Sequence, residues 1–276
     1  MARTDLTKAL LSRFERLSGQ RQNWETHWQE VADYMMPRKS DVTKKRSRGD
    51  KRMELIFDSS PLQALELLAA SLHGMLTNPS TPWFTLRFKD QSMDGEDEAK
   101  LWLESATDAM YTAFNRSNFQ QEIFELYHDL ITFGTAAMFI EEDDEDFIKF
   151  STRHIDEVYI AENDKGRIDT IYRRFKLSAR GLVQKFGEAV SQDIVAMEKK
   201  DPYKEIEIIH AVYPRDDFNP TKRDTKNMPF ESVYFEYKNG NELSVSGFKE
   251  FPFVVPRYLK ASHEIYGRSP AMTALP

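Results

Sequence analysis

Two runs of charge hold the side chains best placed to do chemistry. Glu141 to Asp146 is six acids in a row. Hard divalent cations take carboxylate ligands, so this run is a candidate metal site, or with metal bound a candidate nuclease centre. No glycine sits where an EF-hand loop would need one, and a solvated hairpin tip is the simpler expectation. Between Pro37 and Arg52 stand eight bases: Arg38, Lys39, Lys44, Lys45, Arg46, Arg48, Lys51 and Arg52. Two acids, Asp41 and Asp50, oppose them. Clustered Lys and Arg release counterions from nucleic-acid phosphates whatever the base sequence. The segment is therefore a candidate contact for double-stranded DNA, or for the acidic surface of a neighbouring subunit, against a plain solvated loop. No aromatic residue is interleaved in it, which argues against stacking on single-stranded bases.

Catalytic patterns are missing. There is no glycine-rich phosphate loop, no G-x-S-x-G and no H-E-x-x-H. His27, His154 beside Asp156, and His263 beside Ser262 are isolated, with no nucleophile, base and orienting group in sequence reach of one another. Neither enzyme activity nor a cofactor nor a bound metal is expected.

A chain of 276 residues has room for one large or two ordinary domains with a substantial core. Apolar residues make up 40% and charged residues 30%, the balance of a folded, water-soluble protein. No apolar run approaches the ~18 residues of a spanning helix, so no membrane partner is expected. The N-terminus lacks the uninterrupted apolar centre of a signal peptide. Zero cysteines exclude disulfides and thiolate metal sites. The net charge of −7 argues against DNA binding over the whole surface, although a local basic segment remains free to do so.

The elements that must position these residues are legible in the pattern. Residues 5–35 read as one amphipathic helix, or a pair broken near Ser18-Gly19, with Trp24 and Trp28 on one face. The stretch Asp58 to Phe88 is the one around which the remaining chain is organised. Ser60 is expected to cap a helix with Pro61 in its first turn. Leu65, Leu68, Leu72 and Met75/Leu76 form its apolar stripe. Ala64, Ala69, Ala70, Ser71 and Gly74 are small enough to admit a neighbouring backbone or helix. Asn78 and Pro79 stop the helix, because a residue before proline is pushed out of the α region. After Pro82, the run from Trp83 and Phe84 to Phe88 has the composition of a strand. The whole is a rigid corner.

Helices are then expected over 95–116 and 119–132. The period changes to two near Ala136, with hairpins about the acidic turn at 143–144 and about Asn163–Gly166. Two serine-capped helices, 178–186 and 191–200, precede further strands at 205–213, 232–237 and 242–246. Phe251 to Pro256 reads as an edge strand or extended arm. The fold class is therefore α+β, a helical N-terminal half followed by a β-meander-rich second half. The corresponding divisions are 1–133, 134–260 and a last segment, 261–276, in which Ser269 and Pro270 open a helix.

Three separated segments carry a family resemblance. They are Phe14-Glu15-Arg16-Leu17 through Arg21, Glu25, Ala32-Asp33-Tyr34 and Pro37; the run LAASLHGMLTNPSTPWFTL; and Ile265-Tyr266-Gly267-Arg268-Ser269-Pro270-Ala271-Met272. Together they resemble the head-to-tail connector, or portal, proteins of short-tailed bacteriophages. The resemblance implies a wing-like, N-terminal part of such a protein, stopping as the channel-lining stem helices begin. It implies a homo-oligomeric ring of about twelve copies in the full-length protein. It also implies double-stranded DNA, a terminase motor, a major capsid or scaffold protein and a tail adaptor as partners. The expected location is the virion's capsid vertex, with the host cytoplasm as the place of assembly. The rival from another class is a stand-alone DNA-binding or DNA-processing protein using the basic 38–52 loop.

Overall fold

The computed structural model describes residues 3–47, 49–89, 96–222 and 224–275. Backbone packing groups the chain into two compact units, one from segments 1–27 and 156–252, the other from 28–155 and 253–276. The passage from helices to strands near residue 134 thus falls inside the second unit. The architecture is α+β, with helices segregated from antiparallel sheets.

Helix α1 (Arg3–Met35) contributes its first turns to one unit and its last to the other. It runs unbroken through Ser18-Gly19, the single helix rather than the broken pair. Gly19 is exposed, and nothing lies within 4 Å of where its side chain would begin. Glycine there weakens helix propensity, but no contact exploits the weakness.

In the first unit, β3 (Val158–Glu162), β4 (Ile168–Ser178), β5 (Glu205–Pro214), β6 (Phe230–Glu236) and β7 (Glu242–Phe248) form an antiparallel meander in that order. Leu10 and Phe14 of α1 cover one face, against Tyr159, Tyr172, Ile209, Ala211, Val233 and Phe235. Helices α5 (Ala179–Phe186) and α6 (Gln192–Lys200) cover the other, against Phe175, Ile208 and Leu243. Period-two alternation sends successive residues of β4 and β5 to opposite faces, which explains why both sets are apolar. Arg21 is buried and ties α1 to the sheet: it donates to the Asp156 carbonyl at 2.8 Å and to the Val158 carbonyl, and pairs with Glu25. Its guanidinium lies 3.7 Å from the Tyr159 ring centroid.

In the second unit, α4 (Phe119–Phe133) is the buried centre. Against it lie α2 (Ser60–Leu76), α3 (Asp97–Arg116) and the sheet of β2 (Phe147–Arg153), β1 (Ala137–Asp143) and β8 (Phe253–Val254). Gly134 ends α4 at φ 74°, the left-handed conformation that glycine adopts without strain. Trp28 is fully buried and donates from Nε1 to the Phe133 carbonyl at 3.0 Å, while Trp24 is half-buried. The short β8 is the edge strand expected near 251–256, and α7 (Pro270–Ala274) is capped by Ser269, which accepts from Met272 N–H at 3.0 Å.

Two local expectations need correction. Trp83 to Phe88 has no regular secondary structure and pairs with no strand among the described residues. Its amides are met by α3 instead: Tyr111 Oη accepts from the Trp83 and Phe84 N–H groups at 2.6 Å each and donates to the Phe84 carbonyl at 2.9 Å. Thr107 Oγ1 accepts from Leu86 N–H at 3.3 Å. β propensity therefore found a pleated, half-buried surface, but side chains rather than a ladder partner complete it. At the start of α2 the cap is Ser59, not Ser60, and the Asp58 carboxylate supplies the capping bonds, accepting from Ser60 N–H at 3.0 Å and Ser60 Oγ at 2.9 Å. The third helix starts at Asp97; Gly95, the expected start, lies outside the described residues.

Candidate assembly surface

The basic segment is not the loose loop its composition suggests. After a short 3₁₀ turn at Pro37–Lys39, its side chains fold back onto the second unit. Lys39 Nζ is held 2.7 Å from both Asp129 and Glu125, with Asp129 only 1% exposed. Burial alone would push the Lys39 ammonium down, but Asp129 and Glu125 outweigh it and leave the group above its ordinary value. Burial raises Asp129 in turn, against the pull of Lys39. Lys44 and Arg46 both reach the buried Asp33, at 2.7 and 3.7 Å. Arg52 bonds Asp41 at 2.6 Å, and Arg38 bonds Glu66 at 3.1 Å while staying 80% exposed. Lys45 donates to the Asp41 carbonyl, Lys51 is exposed, and Arg48 lies outside the described residues.

A cavity of about 500 Å³ opens between this turn, α2 and α4. Its charged walls are Arg38, Lys39, Glu66, Glu125 and His128. His128 Nε2 lies 2.9 Å from Glu66 Oε2, and its Nδ1 faces the Phe124 carbonyl at 3.0 Å. Each acid in the cavity is bonded to a base: Glu125 to Lys39, and Glu66 to Arg38 and His128. These bonds are fasteners. With His73 to Gln120 at 2.8 Å and Thr77 to Tyr127 at 3.2 Å, the Glu66–His128 link fixes α2 on α4 along one side.

The corner residues fall where their types require. Pro61 stands in the first turn of α2. Asn78 donates to the Gly74 carbonyl at 3.3 Å and accepts from Ser80 N–H at 2.8 Å across Pro79. Beyond the exposed Pro82, Trp83 stacks on Phe119 at 5.9 Å and Phe84 on Tyr111 at 4.4 Å.

The other side of α2 is open. Only Leu65 and Ala69 are buried, Leu68 and Leu72 are half-buried, and Met75 and Leu76, assigned to the inner stripe, are 75% and 54% exposed. Leu67 is 71% exposed as well. Ala64, Ala70 and Gly74 lie exposed, and a Cβ added at Gly74 would meet nothing within 4 Å. Large and small apolar residues thus share a helix face that the described residues leave uncovered. The signal was present in the sequence: Leu67 stands off the stripe, and a helix apolar around most of its circumference is built to be covered on more than one side.

The acidic run forms the tip of the β1–β2 hairpin. Asp143 caps it, accepting from the Glu145 and Asp146 N–H groups at 3.2 and 3.1 Å. Among the described residues no group of three or more His, Asp or Glu side chains could hold a metal ion, and no helix is long and apolar enough to cross a membrane.

A model of the bacteriophage head to tail connecting protein family matches residues 7–276. The chain belongs to that family. Within it, the probable portal protein of Bordetella phage BPP-1 is 34% identical over 280 residues. The portal protein of Salmonella phage epsilon15 is 35% identical over 281 residues. Both alignments cover all of this chain and 50% of the relative, so the chain spans about half the length of the curated relatives it matches.

Proposed function

We propose that the chain is an architectural part of a phage portal, working by shape and self-association and making or breaking no bonds. Copies assemble into a closed ring of about twelve at one capsid vertex, each using a face that meets a different face of the next. Double-stranded DNA passes through that ring during packaging and ejection. The terminase motor, a capsid or scaffold protein and a tail adaptor dock on it, in the host cytoplasm during assembly and then in the virion. The observation that carries this reading is the uncovered apolar face of α2, fastened rigidly to α4 behind and open in front. Exposed apolar patches of this kind mark association surfaces.

No observation favours the stand-alone DNA-binding reading. Lys39, Lys44, Arg46 and Arg52 are engaged with acids of their own unit. The exposed Arg38, Lys45 and Lys51 are the members of the segment best placed to touch DNA or a neighbouring copy. Mass photometry of the chain over a concentration series, run beside duplex binding over a salt series, separates the two. Self-association into arcs or rings is expected. A strict monomer that binds duplex DNA with a salt slope of several phosphates would reverse the choice.

A further inference from the structure

The first unit holds a cleft of about 490 Å³ between α1 and the ends of β4 and β5. Arg13 and Arg16, three residues apart and so on one side of α1, stand at its rim, both exposed. Among the described residues neither makes an ion pair; Arg13 lies 6.0 Å from the Tyr213 ring centroid. The floor is apolar and aromatic, with Leu17, Tyr172 and Tyr213. The Tyr172 hydroxyl is buried and faces the Arg13 guanidinium, without a hydrogen bond of full geometry among the described residues. Burial pushes that hydroxyl up to about 12 against the pull of Arg13, so it keeps its proton and can donate. One acid, Asp216, shares the rim.

Two guanidinium groups without a carboxylate partner among the described residues, above an aromatic floor, suit a carboxylate joined to an apolar side chain. The chain itself exposes a segment of the right chemistry. Asp144, Glu145 and Asp146 at the β1–β2 tip are exposed and without ion pairs among the described residues. Phe147 comes next, 63% exposed, at φ 65°, which a non-glycine residue seldom adopts. Only Arg116 faces its ring among the described residues, 5.6 Å from the centroid.

We propose that the cleft seats the Asp144–Phe147 tip of a second copy of the chain, the ring of Phe147 on the tyrosine floor and its neighbouring carboxylates on Arg13 and Arg16. The contact is heterologous, one face meeting a different face of the next copy, and it rests on the self-association reading above.

The test is a fluorescent hairpin peptide spanning Glu141 to Lys149, closed across the Glu141–Lys149 pair, titrated into the full chain by anisotropy. The doubly substituted Arg13→Glu/Arg16→Glu chain should bind on the order of tenfold more weakly, as should wild type towards a Phe147→Ala peptide. A peptide with Asp144, Glu145 and Asp146 changed to Lys should recover affinity for the doubly substituted chain. Equal affinity of wild type and the double variant would overturn the proposal, circular dichroism having shown the variant folded. So would displacement of the peptide by inorganic phosphate or duplex DNA at equal concentration, which would make the cleft a phosphate site. Sedimentation keeps the two readings apart. A chain that binds the peptide but never self-associates retains the cleft and loses the ring. A chain that self-associates and ignores the Arg13/Arg16 change loses only the cleft.

Discussion

Gly134 and Gly267 lie backbone against backbone. A Cβ built on Gly134 would stand 2.2 Å from the Gly267 carbonyl oxygen, and one built on Gly267 would stand 2.3 Å from that of Gly134. The approach is locked from both sides: Gly267 N–H donates to Thr135 Oγ1 at 2.8 Å, and Gly134 O accepts from Tyr258 N–H at 2.9 Å. The segment Ile265 to Met272, one of the three carrying the family resemblance, is thereby pinned to the end of α4.

Alanine at Gly267 would meet the backbone of Gly134 and Tyr258 and the Cβ of Arg257, none of which can swing aside. Gly267→Ala should cost about 3 kcal/mol or more in urea unfolding. Gly19→Ala is the control, an exposed position inside α1 with open space around it. It should raise stability by roughly 0.5–1 kcal/mol. The same chemical change is expected to act with opposite sign at two glycines.

Lys39 and Asp129 form a pair in which removing one partner strands the other. Lys39→Met should destabilise by about 3–5 kcal/mol, and adding Asp129→Leu should recover most of the loss. The raised ammonium sets the sign with pH. Its contribution is complete below the ordinary lysine value of 10.5 and is lost as pH rises through the higher folded value. Denaturant midpoints from pH 8 to 12, compared with Lys39→Met, check this.

Tyr111 replaces a strand partner for the chain at Trp83 and Phe84. Tyr111→Phe keeps the ring stacked on Phe84 but leaves two amides without an acceptor, at a cost of about 1–3 kcal/mol. Hydrogen exchange at the Trp83 and Phe84 amides should accelerate, while exchange within β4 and β5 should not change.

Asp58 is held below the usual carboxylate range by the Ser60 N–H and hydroxyl that bond it. A lowered folded value means that the capping contribution is complete above the ordinary 3.8 and disappears as pH falls through the folded value. Exchange of the first-turn amides of α2 should accelerate in that acid window, and Asp58→Ala should show the same acceleration at neutral pH.

The helices, the β5–β7 meander and the hairpin turn closed by Gly166 at φ 69° were legible because period, caps and turn residues are local signals. What escaped was long-range. Trp83 to Phe88 carries strand composition, but its partner is a tyrosine more than twenty residues away. The basic segment was seen as charge, whereas Asp33, Asp41, Glu66 and Asp129 decide where that charge points. Met75 fits the stripe of α2 on paper, yet α4 covers too little of the helix to reach it. Arg13 and Arg16 carried no signal of their own until β4 and β5 closed a cleft beneath them.

Sedimentation velocity of the chain with Leu67→Asp and Met75→Asp, beside wild type, bears most directly on assembly through α2. Both side chains are exposed, so the monomer should stay folded with an unchanged far-ultraviolet spectrum. Wild type is expected to sediment as concentration-dependent oligomers and the variant as a monomer. Identical sedimentation of the two proteins at every concentration would contradict a connector subunit that assembles through this face.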